Sequence, residues 1–209
     1  MDGGSSRSRI NWIDVAGAAS LVARADRVLV IGCSGGGKST LSTDLCRRFD
    51  LPYISMDRDI FWLPGWNRRP KTEERVLMAG FVTKRRWLID GNDPSSFDLR
   101  LPRTDLVLWV RMPRALCLWG AVSRWLRWRG RIRPEMAPGC PERIDGEFLR
   151  YIWTFEKKMT PRIVAGLAKH GPDVPACQLR SRREMKQFLA LLDAAPWGAA
   201  GLAEQARRV

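Results

Sequence analysis

The chain is poor in several residues that metal and redox sites depend on. It has one histidine, His170, in 209 residues, and its five cysteines (Cys33, Cys46, Cys117, Cys140, Cys177) never form a Cys-x-x-Cys pair. Zinc sites need clustered cysteine and histidine at short spacing, so a zinc enzyme or zinc finger is disfavoured. The odd cysteine count and the lack of a signal-peptide pattern at Met1 point to a reducing cytoplasm. No apolar run approaches the roughly 18 residues needed to span a membrane, so no membrane partner is expected. Acidic residues are few, 22 against 36 lysines and arginines, and the net charge is +14. Between Leu106 and Pro134 there is no acidic residue but there are seven arginines. Such a balance favours an anionic partner, nucleic acid or phosphorylated small molecules, although an arginine-rich background composition produces it too. Tyrosine is scarce, two against ten tryptophans, and there are no internal repeats.

What the chain does have is Val28 to Leu41, V-L-V-I-G-C-S-G-G-G-K-S-T-L. Gly32, Gly37, Lys38 and Ser39 fit G-x-x-x-x-G-K-[ST], the phosphate-binding loop. Glycines let backbone amides wrap an anion that side chains would keep at a distance. The helix that follows points free N–H groups and its positive dipole end at the phosphates. Lys38 adds a point charge for the β- and γ-phosphates, and the Ser39 hydroxyl suits Mg²⁺. The context is the one the motif needs. Val28–Ile31 reads as a strand buried on both faces, and Leu41, Leu45 and Phe49 recur at helical spacing after the loop. Cys33 sits inside the loop, either as a small filler or as an oxidisable thiol.

Along the rest of the chain, Met1–Arg9 is rich in Gly, Ser and Arg and is expected to be disordered. Asn11–Ala25 is expected to form a helix beside the first strand. A second strand, Pro52–Met56, ends at Asp57, where strand ends of such sheets meet the ligand. Asp57 is therefore a candidate base, metal-shell ligand or acceptor-binding group, or a cap. Ile60–Trp66 reads as a loop. Its Trp62 and Trp66, followed by Arg68 and Arg69, suit either a stacked planar acceptor or the packing of a small insertion. A helix with Val76, Leu77 and Phe81 follows. Trp87–Ile89 is a third strand ending in Asp90-Gly91-Asn92. An apolar strand ending in a carboxylate is the second half of a phosphate-loop site, where Asp90 holds Mg²⁺ through water. Arg100 is placed to touch a phosphate or pair with Asp98.

Asp105–Val110 is a fourth strand. The helix after Pro113 should bury Ala115, Leu118, Val122 and Trp125. Arg124, Arg127 and Arg131 lie on another side of it. Arg129–Arg143, rich in Gly, Pro and Arg, reads as a mobile lid that would bring Arg124, Arg127, Arg131 and Arg133 to the transferring phosphoryl group, or as a solvated basic face. Helices over Glu147–Met159 and from Pro161 to about Gly171, a last strand over Val174–Leu179 and a helix capped by Ser181 complete the pattern. His170 reads as a helix C-terminal residue, not a catalyst. Leu179–Arg182 would lie against adenine, and Trp197–Val209 is a tail.

Alternating strands and helices imply an α/β, three-layer P-loop fold with about five parallel strands and helices on both faces. The chain has no N-K-x-D of guanine-reading GTPases and no L-S-G-G-Q of transporter ATPases. It divides into an N-terminal extension (1–26), a kinase-like domain (27–192) and a C-terminal tail (193–209). The domain contains an acceptor-side region (57–86) and an arginine-rich lid (124–146).

Trp87–Asn92, W-L-I-D-G-N, resembles the D-G strand end of adenylate-kinase-like enzymes. More closely, the chain is similar to the bacterial family labelled DNA topology modulation proteins. The similarity lies in I-G-C-S-G-G-G-K-S-T-L, M-D-x-x-x-x-W-x-P-G-W (Met56–Trp66) and W-L-I-D-G-N-x-x-x-x-x-D-L-R (Trp87–Arg100). It continues in R-G-R-x-R-P-x-M-A-x-G-C-P-E-R (Arg129–Arg143) and L-R-S-R-R-E-M-x-x-F-L (Leu179–Leu189). The resemblance covers roughly Arg27 to Leu192 and implies a nucleotide-kinase-like fold without settling the substrate. Where that family has a tyrosine after D-G-N, this chain has Asp93, which would alter specificity if the aromatic contacts the acceptor.

The expected function is phosphotransfer from ATP-Mg²⁺ to a small acceptor, a nucleotide or nucleoside favoured. The alternatives are a nucleotide-dependent DNA-binding regulator and a kinase of a non-nucleotide metabolite. The expected nucleotide site is Gly32, Cys33, Ser34, Gly35, Gly36, Gly37, Lys38, Ser39 and Thr40, with Arg182. Ser39 and Asp90 are the metal residues. Asp57, Trp62 and Arg100 are expected at the acceptor, with Asp57 able to accept its proton.

Overall fold

The structure, a computed structural model, describes residues 10–194. The expectations for Met1–Arg9 and for Trp197–Val209 lie outside the described residues. Ile10–Ile13 is extended. Ala176 N donates to Asn11 O (2.9 Å) and Ile13 N donates to Ala176 O (3.0 Å), so this segment lines the edge of the sheet and is not helical as expected. The Asp14 carboxylate then accepts from Gly17 N at 2.7 Å and starts helix α1 (Val15–Val22).

Strand β1 (Arg27–Gly32) leads through the glycine loop into α2 (Lys38–Phe49). Strand β2 (Tyr53–Ser55) runs directly into a π-helical turn, Met56–Phe61. The expected loop over Ile60–Trp66 is instead the end of this turn and a two-stranded hairpin, β3 (Trp62–Leu63) with β4 (Asn67–Arg68). Next come α3 (Lys71–Val82), β5 (Trp87–Asp90) and the short α4 (Phe97–Arg100). They are followed by β6 (Leu106–Val110), α5 (Arg114–Trp128), α6 (Gly146–Lys158) and α7 (Thr160–His170). Strand β7 (Ala176–Leu179) and α8 (Arg182–Ala194) close the described chain, and Ser181 Oγ accepts from Glu184 N at the start of α8.

Five strands pair in the order β2-β5-β1-β6-β7, all parallel. Val28–Ile31, Leu88, Ile89 and Leu106–Val110 are fully buried, as strands covered on both faces require. Right-handed crossovers moving out from β1 to β2 put α2 on one face. Those returning from β2 to β5, from β5 to β6 and from β6 to β7 put α3, α4, α6 and α7 on the other. The α1 and α8 helices pack together, and Arg48 on α2 bonds Asp193 on α8 at 2.5 Å, so these three share a face. All strands point the same way, so β1, β2 and β5 end along one edge. No helix among the described residues is long and apolar enough to cross a membrane.

Helix α5 departs from expectation. It buries Cys117 and Ala121 rather than Ala115, Leu118, Val122 and Trp125. The reason is its position: it lies across the glycine loop, not flat on the sheet. Small residues therefore make its contact, and the large ones (Leu118, Val122) line a groove against Leu149 and Trp153 of α6.

Candidate active site

The glycine loop sits at the end of β1, in the middle of the sheet. Gly37, at φ +95°, precedes α2, and a side chain there would meet nothing within 4 Å, so the loop opens towards a cradle. On its other side the loop is pressed against α5. A Cβ on Gly35 would fall 2.0 Å from Cys117 O, and one on Gly120 would fall 2.1 Å from Gly35 O. Backbone meets backbone at this point, and only glycine fits on either side. The sequence reading missed Gly120, although a glycine inside a helix, where it costs about 1 kcal/mol against alanine, is a sign of close approach. Cys33 and Cys117 are both buried in this seam, with their thiols adjacent. The contact with Cys117 and burial push the Cys33 thiol up, while Cys33 holds Cys117 down. In this seam Cys33 fills space between the loop and α5.

Lys38 Nζ donates to Cys33 O at 2.9 Å, so the side chain lies back along the loop with its charge over the cradle. Asp90, at the end of β5, is buried, and burial raises its pKa above the ordinary carboxylate value. Lys38, Ser39 and Tyr53 oppose that rise, and Asp57 adds to it. Tyr53 donates to Asp90 Oδ2 at 3.0 Å, while Oδ1 is shielded from solvent without a partner. A buried, half-satisfied carboxylate beside a P-loop hydroxyl is a hard-oxygen pair that fits Mg²⁺, and the open cradle fits a phosphate chain. Tyr53 was not singled out in the sequence. Burial and the Asp90 charge raise its own pKa, so it stays a donor.

The residues expected at the acceptor differ most from expectation. Asp57 is exposed on the π-helical turn and close enough to Asp90 and Tyr151 to perturb both. Among the described residues it has no bonded cation. Arg100, expected to touch a phosphate or pair with Asp98, is sealed at 0% exposure. It donates to Gly91 O (3.0 Å) and Asp93 O (2.6 Å) and lies over the Phe97 ring. Burial lowers its pKa to about 10. It braces the turn after β5 and faces no open site, and Asp98 belongs to Arg75 at 2.6 Å. Trp62 packs edge-on against Trp66, 5.2 Å between centroids, over Met136, Ala137 and Cys140. That is the packing role, not an open stacking platform. Asp93 accepts from Ser95 N and Oγ and faces Lys71 at 3.8 Å.

The segment expected to be a mobile lid is laid down on the hairpin. Gly65 N donates to Gly139 O, Trp66 Nε1 to Pro141 O and Ser55 Oγ to Glu135 O. Glu142, missed in the sequence, is buried between two of the lid arginines. Arg124 reaches it at 2.8 Å and Arg133 at 2.5 Å. A buried charge has to be paired, and Glu142 commits both cations. Arg127 and Arg131 are left exposed. Arg182, exposed, opens α8 just past the end of β7.

A five-stranded parallel sheet, a glycine loop at the end of its middle strand and an acidic strand end beside it define a P-loop α/β fold. No family model matches the chain, and no curated protein does. Among solved structures it is similar to a shikimate kinase from Bacteroides thetaiotaomicron, at 16% identity over 80% of this chain and 96% of that one, TM-score 0.49. A shikimate kinase from Acinetobacter baumannii, in complex with shikimate, matches at 13% identity over 83% and 94%, TM-score 0.49. A deoxyadenosine kinase from M. mycoides with bound dATP matches at 13% over 80% and 100%, TM-score 0.39. Function has to be read from this chain's own side chains.

Proposed function

We propose that the chain is an ATP-dependent phosphotransferase that uses Mg²⁺ and acts on a small acceptor in the cytoplasm. The observation that carries this reading is the meeting of Lys38, Ser39 and a buried Asp90 with one oxygen unpaired. The resemblance to DNA topology modulation proteins rests on motifs and adds no activity to it.

The Gly32–Gly37 amides and Lys38 hold the β- and γ-phosphates, and Thr40 the α-phosphate. Arg182 lies on the adenine side. Ser39 and Asp90 hold the metal, which when bound neutralises phosphate charge. Asp57, free of a bonded cation, takes the proton of the attacking hydroxyl, and the γ-phosphoryl group passes to the acceptor oxygen as ADP leaves. Arg127 and Arg131 are the lid cations available to the transferring group, since Arg124 and Arg133 are held by Glu142. Positioning and charge neutralisation supply most of the rate in such a transfer. The test is Lys38→Ala. It should lower ATP-dependent phosphorylation by about a hundredfold or more, the scale of losing a group that stabilises transition-state charge. Retention of full nucleotide affinity and transfer would refute the assignment.

A further inference from the structure

The side of the cleft facing the glycine loop carries an unexplained feature at Asn92. Both polar atoms of its carboxamide are shielded from solvent and have no hydrogen-bond partner. Leaving buried polar atoms unmet costs about 1–3 kcal/mol, a penalty that a ligand bearing donors and acceptors would remove. The Tyr151 hydroxyl, on α6, stands beside it, short of hydrogen-bond geometry, with Asp57 close by. An amide that both donates and accepts and a phenol that does the same thus stand side by side, with a carboxylate near enough for its charge to act on the phenol.

Charge decides what they recognise. On the π-helical turn, the hairpin and α3, every cation is already held. Arg58 is bound by Asp59 through two bonds, of 2.7 and 2.8 Å. Glu74 holds both Arg68 at 2.6 Å and Lys71 at 2.8 Å. Glu73 faces Arg69, and Asp98 holds Arg75. Arg100 is spent on backbone carbonyls. The neighbouring cavity, about 320 Å³ between the π-helical turn, α3 and the Asp93–Ser96 turn, repeats the balance: Lys71 and Arg75 line it together with Glu74 and Asp93. A phosphate or carboxylate entering there would meet Glu74 and Asp93 and would have to break an ion pair to gain Lys71 or Arg75. Hydroxyl groups, each both donor and acceptor, match what is offered without that cost.

We infer that the acceptor is an uncharged polyhydroxylated molecule whose hydroxyls are read by Asn92, Tyr151 and Asp57, and that anionic acceptors are refused. This rests on the phosphotransferase reading and narrows it: a nucleoside or a neutral sugar-like polyol fits, a nucleoside monophosphate does not.

The test uses matched pairs with Mg²⁺-ATP: adenosine, cytidine, D-glucose and myo-inositol, each against its own phosphate monoester. At least one neutral member should be phosphorylated, with kcat/KM at least tenfold above its ester. For that substrate Tyr151→Phe, which keeps the ring, and Asn92→Ala should each lower kcat/KM tenfold or more, mainly through KM, with Mg²⁺-ATP affinity unchanged. Asn92→Ala should also leave the thermal midpoint of the ligand-free protein unchanged or raised, because it removes unmet polar atoms. Preference for an ester, or unchanged acceptor kinetics in both variants, overturns the inference and leaves the phosphotransferase reading standing. Phosphorylation of no member of any pair overturns both.

Discussion

Asp90 is a carboxylate placed where a carboxylate is costly. Burial raises its pKa, and Tyr53 satisfies one oxygen only. With the folded-state pKa raised, the stability tied to this group is present at low pH and lost as pH rises through the raised value. Asp90→Asn has no such dependence. Calorimetry between about pH 4 and 8 should show the ligand-free variant gaining on the parent as pH rises, by about 1–2 kcal/mol at neutrality. Turnover with Mg²⁺-ATP should fall about a hundredfold. A variant no more stable than the parent at pH 7 would mean that the buried charge is not strained. The two tyrosines make a related point. The chain has no others: Tyr53 bonds Asp90, and Tyr151 stands beside Asn92, two residues further on.

Among the elements, the seam between the glycine loop and α5 is the tightest contact of the site. A methyl on Gly120 would lie 2.1 Å from Gly35 O, with backbone on both sides and nothing flexible to yield. Gly120→Ala should therefore cost about 1–3 kcal/mol by overpacking and weaken ATP binding about tenfold through displacement of the loop. Gly80→Ala, in α3 with nothing within 4 Å, should instead stabilise by about 0.5–1 kcal/mol, the difference in helix propensity. Chemical denaturation and nucleotide titration of the two variants check both signs. The lid shows how an element escapes its composition. Arg129–Arg143 has the glycines, prolines and charges of a mobile segment. Its three buried apolar residues (Met136, Ala137, Cys140) and the buried Glu142 nevertheless bind it down.

At the scale of the molecule, the site is where parallel strands end together, and every strand in the sheet helps to place it. Ligand binding should therefore stabilise the whole fold by linkage. With Mg²⁺-ATP at about a hundred times its dissociation constant the gain is about 2.7 kcal/mol, which for a chain of this size raises the thermal midpoint by roughly 5–10 °C. Differential scanning fluorimetry should show that shift in the parent and its loss in Lys38→Ala. An equal shift in both would place the nucleotide elsewhere. The positive charge of the chain leaves no unpaired cation on the π-helical turn, the hairpin or α3, where arginines and carboxylates are locked together.

The residues proposed for the donor half could be picked out from the chain because they are local. Gly32 to Ser39 are contiguous, the loop binds through its own backbone, and the apolar run ending in Asp90 declares itself within a few residues. The strands and most helices were legible for the same reason, through short-range periodicity. What tertiary structure alone decided is whose partner each charged or polar side chain became. Nothing near Arg100 in the chain says that it would be sealed under Gly91 and Asp93, nor that Glu142 would claim Arg124 and Arg133. Neither could the sequence show that Tyr151 comes to rest beside an unsatisfied Asn92. Pairing across long sequence separations depends on packing geometry, and no local pattern encodes it. The groups proposed to read the acceptor come together only through such long-range packing, so their meeting is visible only in the folded chain.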